Sequence, residues 1–282
     1  MKRNFAIVSI LILIGVIVMS QVTAQRMKGS PFESEQSAVQ DLSGWVENST
    51  ARTWTFASAN AGNNTFVVYA SGDVTDFVRV TMRLRAKQGA GYQYFITHDV
   101  SAYDSLNDRT EVTLFGGDHS VLADAAITDV AFSFQTHPAG LPVGDDHWAV
   151  EYSDSTFASQ SSPVTSTWYN INNASLDVPI GLWKVEYKVD VGITTSANVV
   201  AFSVSFSTAN NTENEKYTKG SVLYGPGSST VFSNTISNIF DLSLDDETTY
   251  YLNSMSGSLS ATTLFNSGTF TTTIIRAVSA YY

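Results

Sequence analysis

The chain contains no cysteine. That excludes a disulfide framework, a zinc–thiolate centre and a thiol nucleophile. Charge is also scarce. Charged residues make up 15% of the sequence, and Lys and Arg (15) are outnumbered by Asp and Glu (26), for a net charge of −11. With no basic stripe to displace counterions, nucleic-acid binding through phosphates is excluded. The same deficit argues against adhesion to an anionic lipid surface. No HExxH spacing, glycine-rich phosphate loop, Gly-x-Ser-x-Gly elbow or EF-hand loop occurs. There is no long amphipathic helical pattern and no repeat with a period of 20 to 50 residues. No cofactor and no metal is therefore expected.

What the chain has in abundance is Ser, Thr and Asn beside ample apolar residues. That balance suits an exported β-sandwich with hydroxyl-rich solvent faces, stabilised by core burial and by oligomerisation. The amino terminus is a separate object. Lys2 and Arg3 precede an apolar run from Phe5 through Ile10, Leu13 and Val16 to Met19. Its length, about 15 residues, is that of a signal-peptide h-region, and Val22-Thr23-Ala24 resembles a cleavage site before Gln25. The alternative extends a helix to Ala24, where about 20 residues reach roughly 30 Å and cross a bilayer. Both readings deliver the remainder to or across a membrane. Residues 1–24 are thus expected to form a hydrophobic helix, signal peptide or anchor, and residues 25–44, polar and aperiodic, a linker or stalk.

From Trp45 onward the pattern is that of strands. Short runs occur at Thr53–Phe56, Thr65–Tyr69, Tyr92–Thr97 and Thr110–Phe115, and Val78–Arg85 alternates apolar with polar. Val121–Ile127 reads as one or two helical turns. His137-Pro-Ala-Gly-Leu-Pro-Val-Gly144 interrupts all structure and marks a boundary between a small β-domain, 45–144, and a second domain, 145–282. In the second block, Trp183, Val185, Tyr187 and Val189 alternate with charged residues, and Phe202, Val204 and Phe206 alternate with serines. Further strands are expected at 221–224, 230–232, 240–244, 248–252 and 264–282. Turn signals every 8 to 12 residues indicate an all-β, antiparallel sandwich or jelly roll. The last strand is apolar on both sides. Phe270, Ile274, Val278 and Tyr282 lie on one face, Ile275, Ala277 and Tyr281 on the other, so it is expected inside a sandwich or at a subunit interface. Arg276, alone among apolar neighbours, should meet a carboxylate or carbonyls, or lie near an intersubunit axis. Ile275, Arg276 and Tyr281 are the candidate oligomer-interface residues.

Chemistry-bearing residues are few. Asp145-Asp146-His147 offers metal-ligand types, and Asp99 and Asp118 adjoin His98 and His119, but such residues favour solvated turns. Asp241, Asp245, Asp246 and Glu247 read as an acidic hairpin turn. No acid stands in an apolar run that would raise its pKa, although a carboxylate pair for glycoside hydrolysis converges in space rather than along the chain. Trp168 and Tyr169, flanked by Ser, Thr and Asn, are the candidate ligand-binding pair, a platform for stacking a sugar; the alternative is that they supply core area, as aromatics commonly do. Four sequons begin at Asn48, Asn63, Asn173 and Asn210.

Two stretches resemble bacteriophage tail-fibre and receptor-binding proteins. Thr53-Trp-Thr-Phe-Ala-Ser-Ala, Ser71-Gly-Asp-Val-Thr, Tyr94-Phe-Ile-Thr, Thr110-Glu-Val-Thr-Leu-Phe-Gly-Gly, Leu122-Ala-Asp-Ala-Ala-Ile-Thr, Phe132-Ser-Phe and Pro138-Ala-Gly-Leu-Pro follow the order of a small β-domain of phage tails. Val178-Pro-Ile-Gly-Leu-Trp-Lys-Val-Glu-Tyr, Ser207-Thr-Ala-Asn-Asn, Thr248-Thr-Tyr-Tyr-Leu and Thr272-Thr-Ile-Ile-Arg-Ala-Val-Ser-Ala-Tyr resemble the trimeric jelly-roll heads of phage receptor-binding proteins, similar in shape to tumour-necrosis-factor and complement-type folds. The chain departs from that pattern in its hydrophobic amino terminus and at Val143–Trp148. The resemblance implies a non-enzymatic virion or extracellular spike, a homotrimer that recognises a cell-surface glycan or protein and meets a membrane through its amino terminus. The alternatives are a structural filament or capsid component, and a secreted polysaccharide-acting enzyme or carbohydrate-binding protein.

Overall fold

The computed structural model describes residues 43–47, 52–196, 200–224, 231–257, 261–266 and 272–282. The expected helix over residues 1–24, with Phe5, Ile10, Leu13, Val16 and Met19, and nearly all of the linker lie outside this set. The described residues are all-β and antiparallel, with helical geometry confined to short 3-10 turns. Among them no helix is long and apolar enough to cross a membrane.

The first unit is one seven-stranded sheet. Its strands are β1 (Val46–Glu47), β2 (Trp54–Asn60), β3 (Thr65–Ser71), β4 (Arg83–Gln88), β5 (Gly91–Val100), β6 (Arg109–Phe115) and β7 (Thr128–Ser133). Their order is β1-β7-β4-β5-β6-β3-β2. Side chains alternate across the sheet, so neighbouring residues serve different cores. Phe95, Leu114 and Val130 join Trp54, Phe66, Val68 and Leu84 under the loops of this unit. Ile96, Phe115 and Ala131, one position on, face the second unit and share its core with Trp45.

The second unit holds β8 (Ala149–Asp154), β9 (Ala158–Ser161), β10 (Trp168–Tyr169), β11 (Ser175–Val178), β12 (Gly181–Thr195), β13 (Val200–Ser207), β14 (Gly220–Tyr224), β15 (Val231–Leu244), β16 (Thr248–Ser256), β17 (Ala261–Asn266) and β18 (Thr273–Ser279). The long β12 organises one sheet. It pairs β15 on one edge and, end to end, β18 and β17 on the other, with β8 and β9 outermost. The facing sheet runs β14-β13-β16, with β10 and β11 end to end on the far edge of β16. Trp183, Val185, Tyr187 and Val189 of β12 are fully or almost fully buried, as are Phe202, Val204 and Phe206 of β13. Burial of each such side chain contributes about 1.5–3 kcal/mol.

Three local expectations are corrected. The alternating segment 78–85 is a strand only from Arg83. Before it, the amides of Phe77 and Val78 donate to the Val74 carbonyl, and Thr81 adopts φ +80°, so a pair of turns takes the alternating residues out of the ladder. Val121–Ile127 forms no helix. It runs along the sheet, where the Gln88 side chain bonds the Ala123 amide and the Ala123 and Ala125 carbonyls. The terminal strand does not present two equal apolar faces. Thr273, Ile275, Ala277 and Ser279 point into the core, while Ile274, Arg276 and Val278 are half-exposed. Phe270 lies outside the described residues.

Candidate functional site

Two loops from different units meet at Asp118, His119 and His147. The first follows β6, at Gly116–Ser120, and the second is the 3-10 turn Asp145–Trp148 that opens the second unit. Gly117 makes the approach possible. Its φ is +61°, and a Cβ there would stand 1.8 Å from the His147 carbonyl oxygen, so only glycine fits. The next amide, of Asp118, donates to that carbonyl at 3.1 Å. The Asp118 carboxylate oxygen Oδ1 then lies 3.0 Å from His147 Nδ1 and 3.2 Å from His119 Nδ1. Trp148 packs edge-on against His119 at 4.6 Å and is itself fully buried. Its indole donates to the Pro142 carbonyl at 3.1 Å, and Tyr282 stacks on it at 5.9 Å. The Tyr282 hydroxyl accepts from the Gly144 amide at 2.7 Å.

The shared carboxylate acts differently on its two imidazoles. Hydrogen bonding from His147 holds Asp118 below the usual carboxylate range. The bond to Asp118 raises His147, whose side chain is 39% exposed. His119 is only 17% exposed, and there burial outweighs the same carboxylate and lowers its pKa. Sequence proximity groups His147 with Asp145 and Asp146. The fold instead closes a contact with Asp118, 29 positions upstream.

His98 is the second junction residue. It is 2% exposed and sits among Phe115, Trp183 and Tyr281, with ring centroids 5.2, 5.1 and 5.1 Å away. Nδ1 lies 2.7 Å from the Ile180 carbonyl oxygen. A carbonyl only accepts, so Nδ1 carries the proton and Nε2 accepts from the Ser279 hydroxyl at 3.1 Å. Gly181, at φ +122°, leaves room for the ring, since a Cβ there would be 2.8 Å from Nδ1. Burial pushes the His98 pKa down to about 4. A third link is the Glu247 carboxylate. It accepts from Asn60 Nδ2 at 2.9 and 2.7 Å and from Asn63 Nδ2 at 2.7 Å, which gives the acidic turn a partner in the first unit. Asn63, a sequon residue, is 2% exposed and engaged in this contact.

The residues singled out by sequence are dispersed. Trp168 and Tyr169 form β10 and are both half-buried. Lys219 Nζ lies 5.4 Å over the Trp168 ring and pairs with Glu213 at 3.6 Å, so the stacking face carries a cation of the chain itself. The Tyr169 hydroxyl accepts from the Val164 amide at 2.9 Å. Ile275 is fully buried inside its own chain, which removes it from any subunit face. Arg276 stands between Glu151 and Glu186 on adjacent strands, with Nε 3.9 Å from the Glu151 carboxylate. Tyr281 packs edge-on against His98.

No protein-family model matches the chain, and no curated protein sequence matches it. Among solved structures, it is similar to that of infectious bursal disease virus Gx strain, at 14% identity and a TM-score of 0.28 over 83% of this chain and 55% of that one. It is similar to the cycloalternan-forming enzyme from Listeria monocytogenes in complex with pentasaccharide substrate, at 9% identity and a TM-score of 0.21 over 83% of this chain and 22% of that one. The Cry4Aa toxin from Bacillus thuringiensis gives 7% identity and a TM-score of 0.20 over 80% of this chain and 51% of that one. The chain spans 55%, 22% and 51% of these three lengths, and at such TM-scores the likenesses carry no argument.

Proposed function

We propose that this chain is a non-enzymatic attachment protein of a virion or cell surface. Residues 1–24 export or anchor it, and its second unit is a jelly-roll head that recognises a cell-surface glycan or protein as a homotrimer. The observation that supports this reading most directly is the strand order. The end-to-end pairs β8/β9, β10/β11 and β17/β18 each act as one strand, which leaves eight. Numbered along the chain, they form sheets of order 1-8-3-6 and 2-7-4-5. That is the order of two interlocked Greek keys, the jelly roll of capsid and lectin domains. The resemblance to phage receptor-binding heads leads to the same architecture, and the first unit then serves as the collar on which the head is mounted.

Multi-angle light scattering of the full chain in mild detergent, together with binding of the labelled protein to cells and to a glycan array, tests the proposal. A trimer that binds a defined cell or glycan class is the expected result. A monomer refutes the trimer, and failure to bind any cell or glycan refutes attachment. A structural filament or capsid component is the second reading. It is favoured by apolar side chains left exposed on and beside β14 and β15, namely Leu223 (72%), Tyr217 (61%) and Ile239 (59%). That reading predicts assemblies that grow beyond a trimer with concentration.

A further inference from the structure

We propose that Asp118, His119 and His147 form a binding site for a divalent transition-metal ion that fastens the first unit to the second. Each residue offers one ligand atom, and the three atoms lie within 4.8 Å of one another. The two separations from the carboxylate, now spanned by hydrogen bonds, also suit ligands of one ion. Two ligands about 2.1 Å from a common ion, at angles of about 90–109°, stand about 3.0–3.4 Å apart. Asp118 Oδ1 is 3.0 Å from one imidazole Nδ1 and 3.2 Å from the other. Two imidazoles and one carboxylate favour zinc and its first-row neighbours over calcium or magnesium, which prefer oxygen ligands.

The scaffold around the three side chains is built. Gly117 and the Asp118-to-His147 backbone bond hold the two loops together, and the buried Trp148 braces the His119 ring. The three ligands leave one or more coordination positions for water. His119 Nε2 is shut off from solvent and has no hydrogen-bond partner, so the outer support usual for a metal-bound histidine is missing on that ring. His147 and Asp118 are accordingly the principal ligands. An ion held here adds a bond between a loop of the first unit and the opening turn of the second, so it should stabilise their docking.

The test uses Zn²⁺ and then Co²⁺ on the full-length chain, purified in mild detergent and stripped with EDTA. The expected result is uptake of one Zn²⁺ per chain in equilibrium dialysis, a rise in thermal midpoint with Zn²⁺, and visible d–d absorption of bound Co²⁺. Asp118→Asn and His147→Ala should each weaken Zn²⁺ binding by at least about tenfold, no less than the loss of an outer-sphere partner costs. His137→Ala, at an exposed histidine outside the cluster, should change nothing. Asp118→Asn keeps the size and shape of the side chain, so it decides the matter even if His147→Ala fails to fold by circular dichroism. Absence of stoichiometric uptake by the wild type overturns the proposal. So does an Asp118→Asn variant that binds Zn²⁺ as the wild type does.

Discussion

Acid should loosen this molecule at His98 before it titrates most carboxylates. The ring is enclosed between the two units, and burial lowers its pKa from 6.5 to about 4. In the unfolded chain the same imidazole titrates at its ordinary value. As pH falls through about 6.5 the unfolded state takes up a proton that the folded state refuses, and stability declines until the folded ring also protonates near pH 4. The pKa difference, at about 1.4 kcal/mol per unit, sets a loss of about 3 kcal/mol across that window. Stability attributable to His98 is therefore complete above pH 7 and gone below pH 4. The variant His98→Gln isolates it, because the amide offers a donor for the Ile180 carbonyl and an acceptor for Ser279 but does not titrate. Urea unfolding followed by tryptophan fluorescence at half-unit steps from pH 7.5 to 4 measures the effect, with Trp183 beside His98 as reporter. The variant starts lower, since it loses ring packing, but its curve should fall about 3 kcal/mol less over the window. His119, also lowered by burial, titrates in both proteins and cancels in the comparison. Parallel curves for wild type and variant, or an NMR titration that puts His98 near 6.5, would refute the reasoning.

Removal of residues 1–29 should leave a soluble protein with unchanged β circular dichroism; loss of the β signal would show that the amino-terminal segment is part of the fold. Gly117→Ala forces a Cβ into the His147 carbonyl at a φ of +61°, and a cost of about 2–3 kcal/mol is expected in chemical unfolding. A variant as stable as the wild type would mean the loop contact is dispensable. Truncation of Val278–Tyr282 removes the Ser279 bond to His98, the Ala280-to-Leu182 backbone bond and the Tyr282 stack on Trp148. It should unfold the second unit or lower its midpoint by several degrees in a thermal melt, and an unchanged melt would contradict a structural role for this terminus.

The strands of the second unit are legible in sequence because each satisfies one rule over a long span. β12 buries every second residue from Gly181 to Val189, and no partner is needed to see which face is inside. The rule fails where a polar residue is buried for its own bonds. Arg83 is 4% exposed, yet its guanidinium donates to the carbonyls of Thr81 and Thr136. A clean alternation that counts it as solvent-facing therefore misplaces the strand start. At the carboxy terminus the same rule gives the strand but not its inner face, because the buried set includes Thr273 and Ser279, whose hydroxyls look like surface. The histidine cluster is illegible for a different reason. Asp118 and His147 are adjacent only because two loops, one from each unit, are clamped by a glycine. No spacing along the chain encodes that contact.

Alternation also identifies a face without naming what covers it, and this bears on whether the first unit is a domain at all. A sequence boundary at 137–144 suggests that residues 45–144 fold alone. The sheet argues otherwise. Its inner face closes over Phe95, Leu114 and Val130, but its outer face presents Trp45, Ile96, Phe115 and Ala131, all of them in the core shared with the second unit. Phe115 meets Trp148 and Trp183, and His98 has both of its hydrogen-bond partners in the second unit. Cutting at 144 would return these side chains to water at about 1.5–3 kcal/mol for each large one, which is comparable to the whole stability expected of a domain of that size. A fragment of residues 45–144 should accordingly aggregate, or bind a hydrophobic dye and give a poorly dispersed amide NMR spectrum. A sharp, dispersed spectrum from that fragment would show that the outer face can be solvated, and that the two units are neighbours rather than one folding body.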